Sequence, residues 1–196
     1  FGSGGQFLLT YALAEELVPE ADREAVFENL IREFEKTGWH TVFGVVGLRR
    51  VFDVFDSFRR PGLAYRLFGV NDYPSPLNML SGGRTTLTEG LDGSGSGCHC
   101  MFDSPDTFFF KTLGGIRINR KNDIPIEIRP YCPEDTDSVH CTQALKEGIV
   151  AVDWRRENGR IIFDIAVPDG IRAYASLHNG EKEYTSAVSG KLQVIL

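Results

Sequence analysis

The stretch KTLGGIRINRKNDIPIEIRP, residues 111–130, contains the change of pattern that decides the fold. On its N-terminal side, apolar residues recur every three to four positions, which is the period of an amphipathic helix. After Gly115 they alternate with polar residues, as in IPIEI at 124–128, and this is the period of a half-buried strand. The sequence therefore predicts a helical region up to residue 116 and a strand region from residue 117.

The helical region reads as successive helices joined by short loops. Residues 19–38 place five apolar side chains on one helix face: Val26, Phe27, Leu30, Ile31 and Phe34. Gly38 suits the position just after the helix end. Residues 47–60 repeat the pattern, residues 60–69 begin a helix at Pro61, and residues 104–116 place Phe108, Phe109, Phe110 and Leu113 on one more helix. Because such faces must pack on neighbouring helices, we expect a stacked or toroidal array.

The second region is rich in short alternating runs. IVAVDW and RIIFDIAV are separated by the turn signal ENG, and IRAYASL, KEYTSAV and GKLQVIL follow with Asn and Gly between them. Several strands at this spacing predict a compact antiparallel β-sandwich. The chain is thus predicted to be a multidomain α and β protein with domains at 1–116 and 117–196.

Composition and charge restrict the classes of partner. The chain has 196 residues, 42% of them hydrophobic, and a formal net charge of −6. This composition is that of a globular protein, and the acidic balance argues against nucleic acid as a partner. No apolar run reaches the 18 residues of a membrane span, so no membrane partner is expected either.

The first residues, FGSGGQFLLTYALAEELV, lack an initiator methionine and read as an amphipathic helix. We therefore expect the chain to be part of a longer protein. The sequence does not decide whether the protein is cytoplasmic or secreted.

The cluster Cys98-His99-Cys100 raises the question of a metal site. Its two cysteines lack the C-x2-C spacing of common zinc sites, and no second ligand pair stands at zinc spacing. We expect free thiols, no metal and no cofactor.

Several polar and aromatic residues fall in the predicted loops of the helical region. They are Trp39, His40, Tyr73, Glu89 and His99. Loops on one side of an array of helix hairpins gather around a shared pocket, where aromatic rings cover the apolar faces of a sugar and carboxylates transfer protons. Each residue also has a plainer explanation: a solvated carboxylate, a structural histidine, an aromatic cap of the core, or a flexible Gly/Ser linker at 93–97. From these residues alone, the sequence indicates a candidate carbohydrate pocket and no more specific function.

Longer motifs resemble the C-terminal part of the α-L-rhamnosidases of glycoside hydrolase family 78, the six-hairpin glycosidases. HTVFGVVG (40–47) resembles the family's His-x3-Gly-x2-Gly segment, and LAYRLFGVNDYPSP (63–76) its Ala-Tyr-Arg-Leu helix with an Asp-Tyr-Pro-Ser turn. GRTTLTEG (83–90) resembles its Gly-x-Thr-Thr-x-Trp-Glu segment, and CHCMFDS (98–104) its Asn-His-x-Met-Phe-Gly-Ser helix. The resemblance runs over nearly the whole chain and continues into the predicted sandwich.

The resemblance implies the C-terminal helices of an (α/α)6 barrel followed by an antiparallel β-sandwich. It also implies inverting hydrolysis of terminal α-L-rhamnosides, with a rhamnose-containing oligosaccharide or glycoside as substrate. By motif, Glu89 falls on the general base and His99 on a sugar contact, with His40, Trp39 and Tyr73 as further substrate-binding residues. The family's general acid lies upstream, so the chain is expected to carry half of the site, to require the upstream half as a partner, and to be inactive alone.

Three substitutions in the motif around Glu89 keep two alternatives open. Thr88 stands where the family has Trp, and Gly90-Leu91 replaces the usual Arg-Trp. A related glycosidase of different sugar specificity and a non-catalytic sugar-binding relative are therefore the competing interpretations.

Overall fold

The computed structural model describes residues 4–99, 104–121, 123–180 and 182–196. It divides the chain into two compact units, residues 1–107 and 108–196. The first unit is helical and the second is built of strands, which confirms the predicted order of helices followed by sheets. The domain ranges 1–116 and 117–196 stay a prediction.

Within its described residues, the first unit consists of short helices joined by loops. In chain order the elements are α1 Gln6–Ala14, a 3₁₀ turn Glu20–Asp22, α2 Arg23–Lys36, α3 Val45–Ser57, α4 Pro61–Phe68, a 3₁₀ segment Leu77–Gly83 and α5 Ser104–Thr107. Helix α1 packs on α2 and on α3, and α3 also packs on α4 and α5. None of the described helices has both the length and the apolar character needed to cross a membrane.

Helix α2 forms as its sequence predicts. All five apolar residues of its predicted face are buried. The helix ends in a Schellman motif, since the Trp39 amide donates to the Phe34 carbonyl at 2.8 Å and the Gly38 amide to the Glu35 carbonyl at 3.1 Å. Gly38 has φ +64°, the left-handed conformation that glycine adopts without steric cost. The predicted end of α2 is confirmed.

Helix α3 packs its aromatic residues against α2. Phe55 is fully buried, and its ring meets Phe27 edge-on at 6.2 Å. Phe58 stacks on Phe27 with ring centroids 4.0 Å apart. Burial of one such side chain contributes about 1.5–3 kcal/mol, so these contacts fix the two helices that carry the loops described below.

The predicted aromatic helix after residue 104 is only partly correct. Helix α5 ends at Thr107, and Phe108–Leu113 form one π-helical turn assigned to the second unit. Phe108 is buried, whereas Phe109 and Phe110 are more than 40% exposed. The Gly114 amide donates a hydrogen bond to the Phe109 carbonyl at 2.8 Å, which closes a turn wider than that of an α-helix. Side chains three and four positions apart therefore no longer lie on one face. The expected apolar face therefore does not form.

The described residues of the second unit form eight strands: β1 Ile116–Ile118, β2 Ile126–Ile128, β3 Ser138–Leu145, β4 Gly148–Glu157, β5 Arg160–Val167, β6 Ala173–His178, β7 Glu183–Val188 and β8 Gly190–Ile195. They make two four-stranded sheets, with strand orders β1-β2-β6-β7 and β3-β4-β5-β8. Among these strands every pairing is antiparallel except that of β2 with β6, which is parallel.

The two sheets bury one shared core. Trp154 and Phe163 from one sheet lie in the same buried cluster as Ile128 and Leu177 from the other. The Trp154 indole donates to the Leu113 carbonyl at 2.9 Å, so the one polar atom of this large side chain is satisfied. The turn predicted at ENG is confirmed, because Asn158 and Gly159 both have positive φ between paired Glu157 and Arg160.

Candidate active site

Three loop segments of the helical unit are tied together by hydrogen bonds. The Thr41 amide donates to the Pro74 carbonyl at 3.1 Å, which joins the loop after α2 to the loop after α4. The Asn78 side-chain amide donates to the Leu91 carbonyl at 2.8 Å, which joins the second loop to the third. The structure thus brings the segments 37–42, 71–78 and 84–99 into one connected group of loops.

Gln6 in the first turn of α1 holds the first of these loops. Its side chain is buried, and its amide nitrogen donates to the Thr37 hydroxyl at 2.9 Å and to the His40 carbonyl at 3.0 Å. Its amide oxygen accepts from the Val42 backbone amide at 3.1 Å. One side chain therefore pairs both a carbonyl and an N–H of a loop more than 30 residues away, which fixes the backbone on both sides of His40.

His40 is held from both ring nitrogens. Nδ1 lies 2.8 Å from the Thr37 carbonyl oxygen, and Nε2 lies 2.8 Å from Oδ1 of Asp72. Both partners accept hydrogen bonds and a neutral imidazole donates only one, so this geometry is that of the protonated ring. The Thr37 carbonyl and the Asp72 carboxylate accordingly raise the pKa of His40 above its ordinary value, despite some opposing desolvation.

Trp39 lies in the core, although it is adjacent to His40. Its side chain is 2% exposed, stacks on Phe34 at 5.4 Å and has the Arg66 guanidinium 4.5 Å from its ring centroid. Its φ of +69° is unusual for a bulky residue, and it comes directly after Gly38, which is also left-handed. The indole Nε1 has no hydrogen-bond partner among the described residues.

Tyr73 is the most accessible of the predicted site residues with an aromatic ring. It is 60% exposed and lies between Asp72, which pairs with His40, and Pro74, whose carbonyl accepts from Thr41. The ring is therefore carried by a segment that is anchored by the Asp72 side chain on one side and by the Pro74 carbonyl on the other. An exposed phenol on such a segment can stack on or hydrogen-bond to a sugar.

Glu89 and His99 belong to one closed loop. The His99 amide donates to the Leu87 carbonyl at 3.0 Å, and the Glu89 amide donates to the Ser96 carbonyl at 3.0 Å. Within this loop, the Gly90 amide donates a hydrogen bond to the Ser94 carbonyl at 3.0 Å and closes a tight turn. The Gly/Ser run at 93–97 is thus a structured part of this loop and not a plain linker.

Ser96 contacts the side chains of both residues. Its amide lies 3.4 Å from Oε2 of Glu89, and its hydroxyl oxygen lies 2.9 Å from Nδ1 of His99. The Glu89 carboxylate is otherwise exposed to solvent, where it can accept a proton from water. The loop therefore presents a carboxylate and an imidazole that share one neighbour.

Glycines allow this loop to close. A Cβ atom on Gly95, which has φ +77°, would lie 2.7 Å from Oε2 of Glu89, and one on Gly93 would lie 2.6 Å from Cζ of Arg84. The Thr88 side chain, buried beneath the loop, donates to the Gly90 carbonyl at 2.8 Å. Gly93 and Gly95 both have left-handed φ, and Gly95 also packs directly against Glu89, so glycine is the residue that fits at these positions.

The predicted site residues thus fall into three settings. Glu89 and His99 share the closed loop, His40 and Tyr73 lie on the neighbouring joined loops, and Trp39 is in the core. Sequence reasoning missed Gln6, Asn78 and the role of Ser96. A glutamine within the apolar run QFLLTYALA is the one signal that could have drawn attention to Gln6, because buried polar groups require partners.

The described residues contain no group of three or more His, Cys, Asp or Glu that could hold a metal ion. Cys98 is a free, exposed thiol, and Cys100 lies outside the described residues.

Comparison with known proteins shows which family this chain belongs to. Residues 1–113 match the model of the bacterial alpha-L-rhamnosidase 6 hairpin glycosidase domain, and the chain belongs to this family. It is 27% identical over 190 residues to an alpha-L-rhamnosidase of Formosa agariphila, an alignment that covers 92% of this chain and 20% of that protein. An alpha-L-rhamnosidase of Streptomyces avermitilis is 26% identical over 172 residues, covering 82% of this chain and 17% of the relative.

A solved structure extends the likeness to the second unit. The crystal structure of Streptomyces avermitilis alpha-L-rhamnosidase complexed with L-rhamnose matches with a TM-score of 0.89 at 22% identity, covering 100% of this chain and 22% of that one. At this identity the match shows the fold, which is shared from the helices through both sheets. The chain spans about a fifth of the length of these relatives.

Proposed function

We propose that this chain contributes the general-base half of an active site that hydrolyses terminal α-L-rhamnosides with inversion. The observation that carries the proposal is the closed loop in which Ser96 contacts both the Glu89 carboxylate and the His99 ring. Membership of the α-L-rhamnosidase family supports the reaction and the sugar.

In this mechanism Glu89 acts on water. The carboxylate removes a proton from the water molecule whose oxygen attacks the anomeric carbon, while a general acid from another part of the enzyme protonates the departing glycosidic oxygen. The two carboxyl groups of an inverting pair stand about 6.5–9.5 Å apart, which leaves room for the water. The exposure of Glu89 supports such a role, because its oxygens are accessible to that water.

The remaining residues would hold the sugar. We assign His99, His40 and Tyr73 to the pocket, since each is at least partly accessible and anchored by its loop. Both ring N–H groups of His40 are taken by the Thr37 carbonyl and by Asp72, so His40 would support the pocket by holding the Asp72-Tyr73 segment in place. Trp39 was predicted as a further contact, and its burial supports a contribution through packing next to His40.

We also propose that residues 1–116 form the C-terminal helices of an (α/α)6 barrel and that residues 117–196 form the β-sandwich that follows it. The upstream half of the enzyme would then be the partner of the first unit. Helix α1 supports this, because it is apolar on two sides. Leu9 and Leu13 are buried, whereas Phe7, Leu8 and Tyr11 are about 40% exposed. A helix that is apolar all round is normally covered by other elements.

The exposed apolar face of α1 provides a test of whether the first unit requires a partner. Residues 1–196 alone should self-associate or bind the dye ANS, since exposed apolar patches of this kind are rare on monomers. A monodisperse chain by light scattering that does not bind ANS would argue against a missing partner.

A related glycosidase of different specificity is the second candidate. Thr88, in the position where the family has Trp, is buried and bonded within the loop, so it offers the sugar no aromatic wall. Hydrolysis of other glycosides in preference to α-L-rhamnosides would support this candidate. Sugar binding without hydrolysis would support the non-catalytic alternative.

The deciding experiment measures hydrolysis of p-nitrophenyl α-L-rhamnoside by the complete protein that contains this chain. Glu89→Gln should lower kcat by about 10²–10⁴-fold with little change in KM, because the amide cannot accept the proton. Azide, which attacks without deprotonation, should restore release of p-nitrophenol. Glu35→Gln on the exposed face of α2 is the matched control and should behave as the unsubstituted protein. Unchanged turnover in Glu89→Gln would remove Glu89 from the mechanism.

A further inference from the structure

We propose that Ser96 is a positioning residue that orients His99 and Glu89 toward the same bound sugar, an inference that rests on the proposed function. Ser96 lies in the Gly/Ser run of the loop, yet it is bonded at three points. Its carbonyl accepts from the Glu89 amide at 3.0 Å, its amide faces Oε2 of Glu89 at 3.4 Å, and its hydroxyl faces Nδ1 of His99 at 2.9 Å.

The hydroxyl acts on the orientation of His99. Its oxygen lies 2.9 Å from Nδ1, and whichever of the two atoms donates, the contact ties one ring nitrogen to the loop. The rotation of the ring about its side-chain bonds is therefore set by Ser96.

The backbone of Ser96 acts on Glu89. Its amide engages Oε2, and among the described residues Oε1 has no hydrogen bond, so one oxygen is anchored while the other is available to accept a proton. Gly95 enforces the approach, because its α-carbon lies so close that an added Cβ would be 2.7 Å from Oε2. The side chain and the backbone of Ser96 therefore serve different residues, and substitution separates the two roles.

The test compares two serines in the same loop of the complete protein. Ser96→Ala removes the hydroxyl that faces His99 and keeps the amide that faces Glu89. Loss of one hydrogen bond that orients a ligand-binding group should raise KM for p-nitrophenyl α-L-rhamnoside about 3- to 10-fold, with kcat within about twofold. Ser96→Thr, which retains the hydroxyl, should restore KM. Ser94→Ala, two residues away, should have the KM of the unsubstituted protein.

A binding measurement separates this inference from the proposed function. In the Glu89→Gln background, calorimetry should show that Ser96→Ala weakens L-rhamnose binding by the same factor as it raises KM, whereas Ser94→Ala does not. Equal KM and equal affinity for the two alanine variants, or a fall in kcat alone for Ser96→Ala, would overturn the positioning role while leaving Glu89 in place. Failure of the unsubstituted protein to hydrolyse rhamnosides and to bind L-rhamnose would overturn the proposed function and this inference together.

Discussion

His40 and Asp72 are separated by 32 residues in the chain, and Nε2 of the one lies 2.8 Å from Oδ1 of the other. Because the Thr37 carbonyl lies 2.8 Å from the second ring nitrogen, both contacts are hydrogen bonds at the same time only while His40 is protonated. This ion pair joins the loop after α2 to the loop after α4. Its strength should therefore depend on pH.

The first prediction concerns that dependence. The pKa of His40 is raised in the folded state, so its stabilising contribution is complete below the unfolded value of about 6.5 and is lost as the pH rises through the folded value. Asp72→Asn should lower the free energy of unfolding by up to about 1 kcal/mol at pH 5.5, and by less at pH 9. Urea denaturation at both pH values measures the difference. In a His40→Gln background the effect of Asp72→Asn should no longer vary with pH, and an equal loss at both pH values in the unsubstituted background would contradict the pairing.

The second prediction uses two glycines of the closed loop that carries Glu89 and His99. Gly95→Ala would force a left-handed φ of +77° on alanine and bring its Cβ within 2.7 Å of Glu89, whereas Gly97→Ala would meet nothing closer than 3.9 Å. We expect Gly95→Ala to reduce kcat/KM by about tenfold or more, since displacement of a positioned group by about 1 Å is costly. Gly97→Ala should retain activity. Similar rates for the two variants in the rhamnoside assay would show that the loop relaxes freely.

The third prediction concerns Gln6 as the anchor of the first loop. Gln6→Ala leaves the His40 carbonyl and the Val42 amide without their partner, and should lower the free energy of unfolding by about 1–3 kcal/mol. Thr10→Val on the same helix is the control. Its hydroxyl is buried and has no partner among the described residues, so its loss should be neutral or stabilising. Denaturation of both variants provides the comparison, and a larger loss for Thr10→Val would refute the assigned role of Gln6.

The fourth prediction concerns thiol reactivity. Burial raises the pKa of Cys132 to about 12 and also raises the pKa of Cys141, whereas Cys98 is exposed. Since the thiolate is the reactive form, iodoacetamide at pH 8 should modify Cys98 at least about 100 times faster than Cys132. Peptide mapping by mass spectrometry measures both rates. After denaturation the two should react alike, and equal rates in the folded protein would contradict the burial of Cys132.

Much of the local structure could be predicted from short patterns. The apolar face of α2, its end at Gly38, the start of α4 at Pro61 and the hairpin at Asn158-Gly159 all follow from backbone sterics and from the period of apolar residues. Six of the eight described strands overlap predicted runs, and β1 and β3 do not. These features depend on a few neighbouring residues, so the sequence carries them without knowledge of the rest.

The candidate site was predicted less completely. Family motifs selected Glu89 and His99, and the structure places them in one loop. No motif indicated that a serine in a Gly/Ser run would contact both, because such a run is equally typical of a flexible linker. The hydrogen bonds that distinguish the two cases form only when the loop closes.

The sequence by itself determined the succession of helices and strands, because helix and strand periods, caps and tight turns are set by interactions within a few residues. Only the tertiary structure decided that Gln6 pairs with the His40 segment, that His40 pairs with Asp72, that Trp39 turns inward, and that β2 pairs in parallel with β6. Each of these joins segments more than 30 residues apart or depends on which side of the chain is covered. Such contacts are selected by packing and by the need to pair buried polar groups, and neither leaves a periodic trace in the sequence.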